Sequence, residues 1–150
     1  MKNIVVVDID GTIAKVGDRL KYLRKEPKDY DSFFKGCGND KPIVEVITLV
    51  QALADSGKEI VFCTGRNEVC REETLKWLKR FFTESLVAKC LLLMRGQKDY
   101  RHDAKVKPEL LQKAAIPLHA ILLILEDRKS VVKKWREFGV VCLQVADGDF

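Results

Sequence analysis

The chain has 150 residues, 47% hydrophobic and 33% charged, which describes one domain able to bury roughly two thirds of its unfolded surface and excludes a disordered or membrane-embedded class. The net charge of +5, with a pI near 8.9, favours a polyanionic or phosphorylated partner without identifying one. The longest apolar runs are far too short to span a bilayer, and the opening run is interrupted by acids with no small-residue cleavage site after it, so a cytoplasmic protein is expected.

Residues 4–7 (IVVV) read as a parallel strand buried on both faces, and the strand ends in Asp8 and Asp10, two carboxylates one residue apart. An Asx-type turn explains one Asp and the Gly11 that follows, but it has no use for a second acid at this spacing. Residues 14–41 are polar, basic and aromatic without clear periodicity, and a segment of this kind after a first strand predicts a small lid over a site, here placed at 15–41.

Pro42 suits the first turn of a helix carrying Ile43, Val46, Ile47, Val50 and Leu53 at helical spacing, with Gly57 as its stop. A second strand is predicted at 59–64, then a Gly65-Arg66-Asn67 turn and a helix lined by Leu75, Leu78 and Phe82. Residues 90–94 form the third strand. A polar link leads to a helix that starts near 105–107, because Pro108 is tolerated in a first turn. The fourth strand, 120–125, ends in Glu126 and Asp127. Asp127 or Ser130 then caps a helix burying Val131, Val132, Trp135 and Phe138, and residues 140–145 close the sheet. Strands alternating with helices imply an α/β, three-layer sandwich around a five-stranded parallel Rossmann-like sheet, in a single domain spanning 1–150.

The five cysteines contain no CxxC pair and read as small buried hydrophobes in a reducing compartment. Trp77 and Trp135 fall at helical spacing among apolar neighbours and read as core. His102 reads as a solvent-facing or supporting residue, and His119 as unremarkable.

In an open α/β sheet ligands bind beyond the carboxyl ends of the strands. Those ends collect Asp8, Asp10, Thr64, Arg66, Glu126 and Asp127, with Lys107 from the preceding helix. Four acids meeting without a counter-charge would repel one another, and Mg²⁺ held by Asp8, Asp10, Glu126 and Asp127 resolves this. Phosphoryl transfer fits the remainder. Asp8 is the candidate nucleophile, and Asp10 is the candidate acid and base. The Thr64 hydroxyl and Lys107 ammonium would hold phosphoryl oxygens, and backbone N–H groups of the 10–11 turn would add donors.

Asp8-x-Asp10-Gly11-Thr12, Thr64, a lysine and an acidic pair in this order resemble the four motifs of the haloacid dehalogenase superfamily of phosphotransferases. An acid at position 10 resembles its phosphatases and mutases. The pieces 10–15 with Arg19, Arg101-x-Asp103-x-x-x-Lys107, and 127–150 are similar, over essentially the whole chain, to the phosphatase domain of bacteriophage polynucleotide kinase 3′-phosphatases.

That resemblance implies removal of 3′-phosphates from DNA or RNA ends. It implies substrate-side roles for Arg19, Arg66 and Asp103, beside Gly11, Thr12 and Gly65, and selects Lys107 over Lys105. The chain departs from the pattern at Glu126, where the family has Asp, and in the lid at 22–38. It carries no GxxxxGK[ST] loop, so these residues are not expected to supply the 5′-kinase half. The alternative function is hydrolysis of small phosphorylated metabolites such as nucleoside monophosphates, and a non-enzymatic binding module is disfavoured by the intact acids.

Overall fold

A computed structural model describes residues 1–148. Strand β1 (Ile4–Val7) lies at the centre of a five-stranded parallel sheet, with β4 (Glu59–Asn67) and then β5 (Leu91–Arg95) on one side. On the other side lie β6 (Ile121–Arg128) and β7 (Cys142–Gly148). The chain therefore builds outward from β1 in one direction and returns past it, which opens a crevice at the carboxyl end of β1.

The β1 side chains divide between two cores. Val5 and Val7 pack into one with α3 (Val44–Asp55), α4 (Arg71–Phe81) and α5 (Glu84–Lys89), while Val6 joins the other with α6 (Asp103–Lys113) and α7 (Lys129–Glu137). Period-two alternation thus feeds both faces, which gives the three layers expected. Trp77 and Trp135 are buried in these cores, and all five cysteines are unpaired.

Between β1 and α3 the chain makes β2 (Ala14–Lys15), α1 (Leu20–Leu23), α2 (Tyr30–Lys35) and β3 (Lys41–Pro42). Strands β2 and β3 pair antiparallel, Ala14 with Pro42 and Lys15 with Lys41, so the excursion leaves and returns through one neck. No helix among the described residues is long and apolar enough to cross a membrane.

Several local expectations are corrected. Pro42 sits in β3, before α3, because its neighbour Lys41 is engaged in the ribbon. Helix α6 begins at Asp103 rather than near 105–107. His102 Nδ1 accepts the Ala104 N–H at 3.1 Å, and that cap holds the start upstream of Pro108. Neither Asp127 nor Ser130 caps α7, since the cap position falls on Arg128, between them, and Ser130 already lies inside the helix. Phe138 is exposed at the end of α7, and the last strand runs from Cys142 to Gly148. Asp149 and Phe150, the end of the matched C-terminal piece, lie outside the described residues.

Candidate active site

Immediately after β1 the chain wraps around the Ile9 carbonyl, which accepts the N–H groups of Thr12, Ile13 and Ala14 at 3.1, 2.9 and 3.0 Å. Gly11 makes this possible with φ of +84°, a left-handed conformation costly for other residues. The turn brings the Thr12 hydroxyl under Asp8, where it donates to Asp8 Oδ2 at 2.9 Å and lies 3.3 Å from Asp127 Oδ1. A Cβ at Gly11 or at Gly148 would overlap the Asp127 carboxyl, so two glycines clear the space that Asp127 fills.

Asp8, Glu126 and Asp127 offer carboxylate oxygens within 4.8 Å of one another, all three residues being buried. Lys107, 2% exposed, reaches across from α6 and donates to Asp8 Oδ1 at 2.7 Å and Glu126 Oε2 at 2.6 Å. Burial alone would push the Lys107 ammonium down, but Asp8 and Glu126 hold it well above the usual lysine range.

One ammonium cannot neutralise three carboxyls. Burial, followed by the Asp8 charge, raises Glu126 well above its usual value and pushes Asp127 up to about 7. The donor set is therefore hard oxygen, crowded and short of positive charge, which fits a Mg²⁺ ion. The two acids after β6 are not equivalent. Glu126 spends Oε2 on Lys107 and Oε1 on the Asp127 and Arg128 N–H groups at 3.2 Å each, whereas Asp127 meets only the Thr12 hydroxyl among these groups. This leaves Asp127 the freer carboxylate.

The expected fourth carboxylate, Asp10, is absent from this cluster. Arg66 Nη2 donates to Asp10 Oδ1 at 2.8 Å, Arg66 Nε is 3.1 and 3.2 Å from its two oxygens, and Arg19 Nη2 donates to Oδ1 at 2.9 Å. Both guanidiniums also hold Asp40. Arg19 uses Nε and Nη2 at 2.8 and 2.5 Å, and Arg66 Nη2 lies at 3.0 Å. Burial would raise the Asp10 carboxyl, yet Arg66 and Arg19 outweigh it and hold it below the usual carboxylate value. Opposite charges within hydrogen-bond reach win over desolvation here because Oδ1 accepts from three guanidinium N–H groups and Oδ2 from one.

A cavity of about 370 Å³ opens over these groups. Asp8 and Asp10 line it, as do Thr64, Gly65, Lys107, Glu126, Asp127 and Asp103, with Lys28, Tyr30 and Tyr100 among the residues from the surrounding loops. Thr64 accepts the Arg66 N–H at 3.1 Å, which leaves its hydroxyl proton to donate.

Arg19, Arg66, Gly11 and Thr12 do not line the cavity, and Arg19, Arg66 and Thr12 are buried. The Gly11 N–H is engaged, on the Ala14 carbonyl at 2.8 Å. Asp103 does reach the cavity wall. It accepts from Arg95 Nη2 and forms an ion pair with Arg128 Nη1 at 3.2 Å, and Gly65 lacks the Cβ that would stand 2.6 Å from its carboxylate.

Sequence reasoning missed Asp40, Arg95 and Arg128. Arg95 and Arg128 end strands, a position that could have marked them. The partnership of Asp40 with an arginine 26 residues away left no local trace.

The chain matches the family model of the polynucleotide kinase PNKP phosphatase domain over residues 2–150. A protein of Autographa californica nuclear polyhedrosis virus, designated "Putative bifunctional polynucleotide kinase/RNA ligase", is 28% identical over 137 residues, covering 91% of this chain and 18% of that protein.

Among solved structures, a chain of the Pnkp1/Rnl/Hen1 RNA repair complex superposes with a TM-score of 0.79 and 29% identity, over 98% of this chain and 43% of that one. A predicted phosphatase from Clostridium acetobutylicum shares the fold with a TM-score of 0.70 at 14% identity, over 96% and 84% of the two chains. The chain thus spans less than a fifth of the viral relative and under half of the repair-complex chain. With sheet order, acid cluster and whole-length match in agreement, the chain belongs to the polynucleotide kinase PNKP phosphatase domain family, within the haloacid dehalogenase-type phosphatases.

Proposed function

We propose that this domain is a Mg²⁺-dependent phosphatase that removes 3′-phosphates from polynucleotide ends through a phosphorylated Asp8. The observation that carries the reading is Asp8 itself, on the floor of the cavity, with one oxygen on Lys107 and the other on Thr12. These two donors fix the orientation of the carboxylate whose oxygen is the proposed nucleophile.

An Asp8 oxygen forms a bond to phosphorus while the bond from phosphorus to the 3′-oxygen of the terminal sugar breaks. The leaving oxygen takes a proton. A water molecule then attacks phosphorus, the Asp8–phosphorus bond breaks, and inorganic phosphate departs. Lys107 and the Thr64 hydroxyl hold the transferring oxygens. Asp8 and Asp127, with Glu126 tethered beside them, would hold Mg²⁺, which supplies positive charge beside the phosphoryl oxygens.

Asp10 is the candidate for both proton transfers. Clasped by Arg66 and Arg19 it is held ionised, so it can accept the proton of the attacking water only as those hydrogen bonds give way. Donation to the leaving oxygen requires a protonated Asp10, and so a loosening of the arginine clasp once substrate is bound. The segment between β2 and β3 acts as the lid, with Lys28, Tyr30, Phe33 and Phe34 turned to the cavity.

A second reading, hydrolysis of nucleoside monophosphates, draws on the cavity volume of about 370 Å³, near the small end of ligand sites. Phosphate release from a 3′-phosphorylated oligonucleotide, its 5′-phosphorylated isomer and a nucleoside 3′-monophosphate separates the readings. The 3′-phosphorylated chain is the expected best substrate, with KM rising steeply with salt as backbone contacts are screened. Equal turnover of the mononucleotide with little salt dependence would favour the second reading, and turnover of neither would remove both.

A further inference from the structure

Tyr100 is 75% exposed and Tyr30 is 41% exposed, yet both stand at the same cavity, one from each side. Tyr30 belongs to α2 of the lid, and Tyr100 to the loop between β5 and α6. Their ring centroids are 6.3 Å apart at 50°, and Tyr30 is itself backed by Phe34 at 6.4 Å and 23°. A base cannot slot between two rings so tilted, because a sandwich requires parallel faces. Tyr30 instead packs at an angle against Tyr100, which stays largely exposed.

The loop that carries Tyr100 is held in place. Arg95 Nη1 donates to the carbonyls of Asp99 and Arg101 at 3.1 and 2.8 Å, one on each side of Tyr100. Arg101 is pinned in turn by Asp99 at 2.8 Å and Glu109 at 2.7 Å. An exposed aromatic on a loop fixed at both flanks gives up little conformational entropy on binding. Lys28, exposed at the same cavity, supplies a cation for a passing phosphodiester.

We propose that the Tyr100 ring, braced by Tyr30, is the stacking platform for the base of the nucleotide whose 3′-phosphate is removed. The proposal rests on the polynucleotide reading above and adds to it the residue that grips the end. Stacking accepts any base, since every base has a π face, so the platform selects a nucleotide over a bare sugar phosphate without selecting sequence.

The test compares kcat/KM for a 3′-phosphorylated oligonucleotide with that for the same strand ending in a stable abasic residue, as a ratio within each variant so that changes in overall activity cancel. The wild type is expected to favour the base-bearing end by about tenfold to a hundredfold. Tyr100→Ala should bring the ratio near one, and Tyr100→Phe should keep it, because the ring and not the hydroxyl is required. A wild-type ratio near one, or a Tyr100→Ala ratio equal to the wild type's, overturns the platform while leaving the polynucleotide reading standing. Hydrolysis of p-nitrophenyl phosphate with no hydrolysis of either strand overturns both.

Discussion

Asp8 and Asp10 leave the same strand two residues apart, yet their side chains end in ionic clusters of opposite balance. Around Asp10 two carboxyls, Asp10 and Asp40, meet two guanidiniums, and all four groups are locked by mutual hydrogen bonds. Around Asp8 three carboxyls share one ammonium. Burying an ion costs several kcal/mol even after relaxation, and a matched pair recovers that only with good geometry. The first cluster meets the condition within the protein. The second does not, and the deficit marks where the chain expects a cation and a reacting phosphate. The balanced cluster is a brace that holds Asp10 against the cavity, and the unbalanced one is the candidate metal site.

Substitutions that break this contrast differ widely in size. The largest effect belongs to Asp8→Asn, which replaces the proposed nucleophile by a near-isosteric amide. Turnover should fall by at least about a thousandfold while circular dichroism stays native. Retained turnover would mean that another group attacks phosphorus.

Next come the cations. Arg66→Met leaves Asp10 and Asp40 to share Arg19 alone, and Lys107→Met leaves the acid cluster without its internal counter-charge. Each should cost about 3–5 kcal/mol in urea unfolding without divalent ions. The two should respond differently to Mg²⁺, which should restore part of the stability of Lys107→Met and none of that lost in Arg66→Met. Equal recovery in both variants would show that the clusters are not distinct.

The pH dependence runs in opposite directions for the two regions. The folded state holds Asp10 below its usual value, so its contribution is present above about pH 4 and is lost as pH falls below that. In metal-free protein the folded state keeps a proton on Asp127 that the unfolded chain releases near pH 4. Asp127 therefore lowers stability as pH rises from about 4 to about 7. Magnesium held by Asp127, as proposed, would replace that proton. The gain in urea midpoint from added Mg²⁺ should accordingly grow between pH 5 and pH 7.5, and a gain as large at pH 5 would contradict the assignment.

The smallest effect is His102→Ala, which removes the α6 cap and should cost about 1 kcal/mol. Because α6 carries Lys107, the loss should appear as a small rise in KM before any change in fold.

The sheet and the acid cluster were legible in the sequence because both are written locally. Four apolar residues, then Asp8, are one continuous signal, and each later strand repeats it with its own residues at the end. Glu126 and Asp127 follow β6 as directly as Asp8 follows β1. The brace was illegible for the opposite reason. Its partners are separated by 9, 21, 26 and 56 residues, and the lid residues that supply Asp40 have no period to betray their fold. Proximity in sequence suggested that Asp10 shares the fate of Asp8. Two arginines, each ordinary when read alone, decide otherwise. Pro108 misled in the same way, since a single residue's preference was outweighed by the His102 cap.

The contrast between the clusters is tested most directly by titrating Mg²⁺ into the Asp127→Asn and Asp10→Asn variants by calorimetry. The account predicts that Asp127→Asn loses Mg²⁺ binding and that Asp10→Asn retains it close to the wild type's. Undiminished binding by Asp127→Asn, or abolished binding by Asp10→Asn, would contradict it.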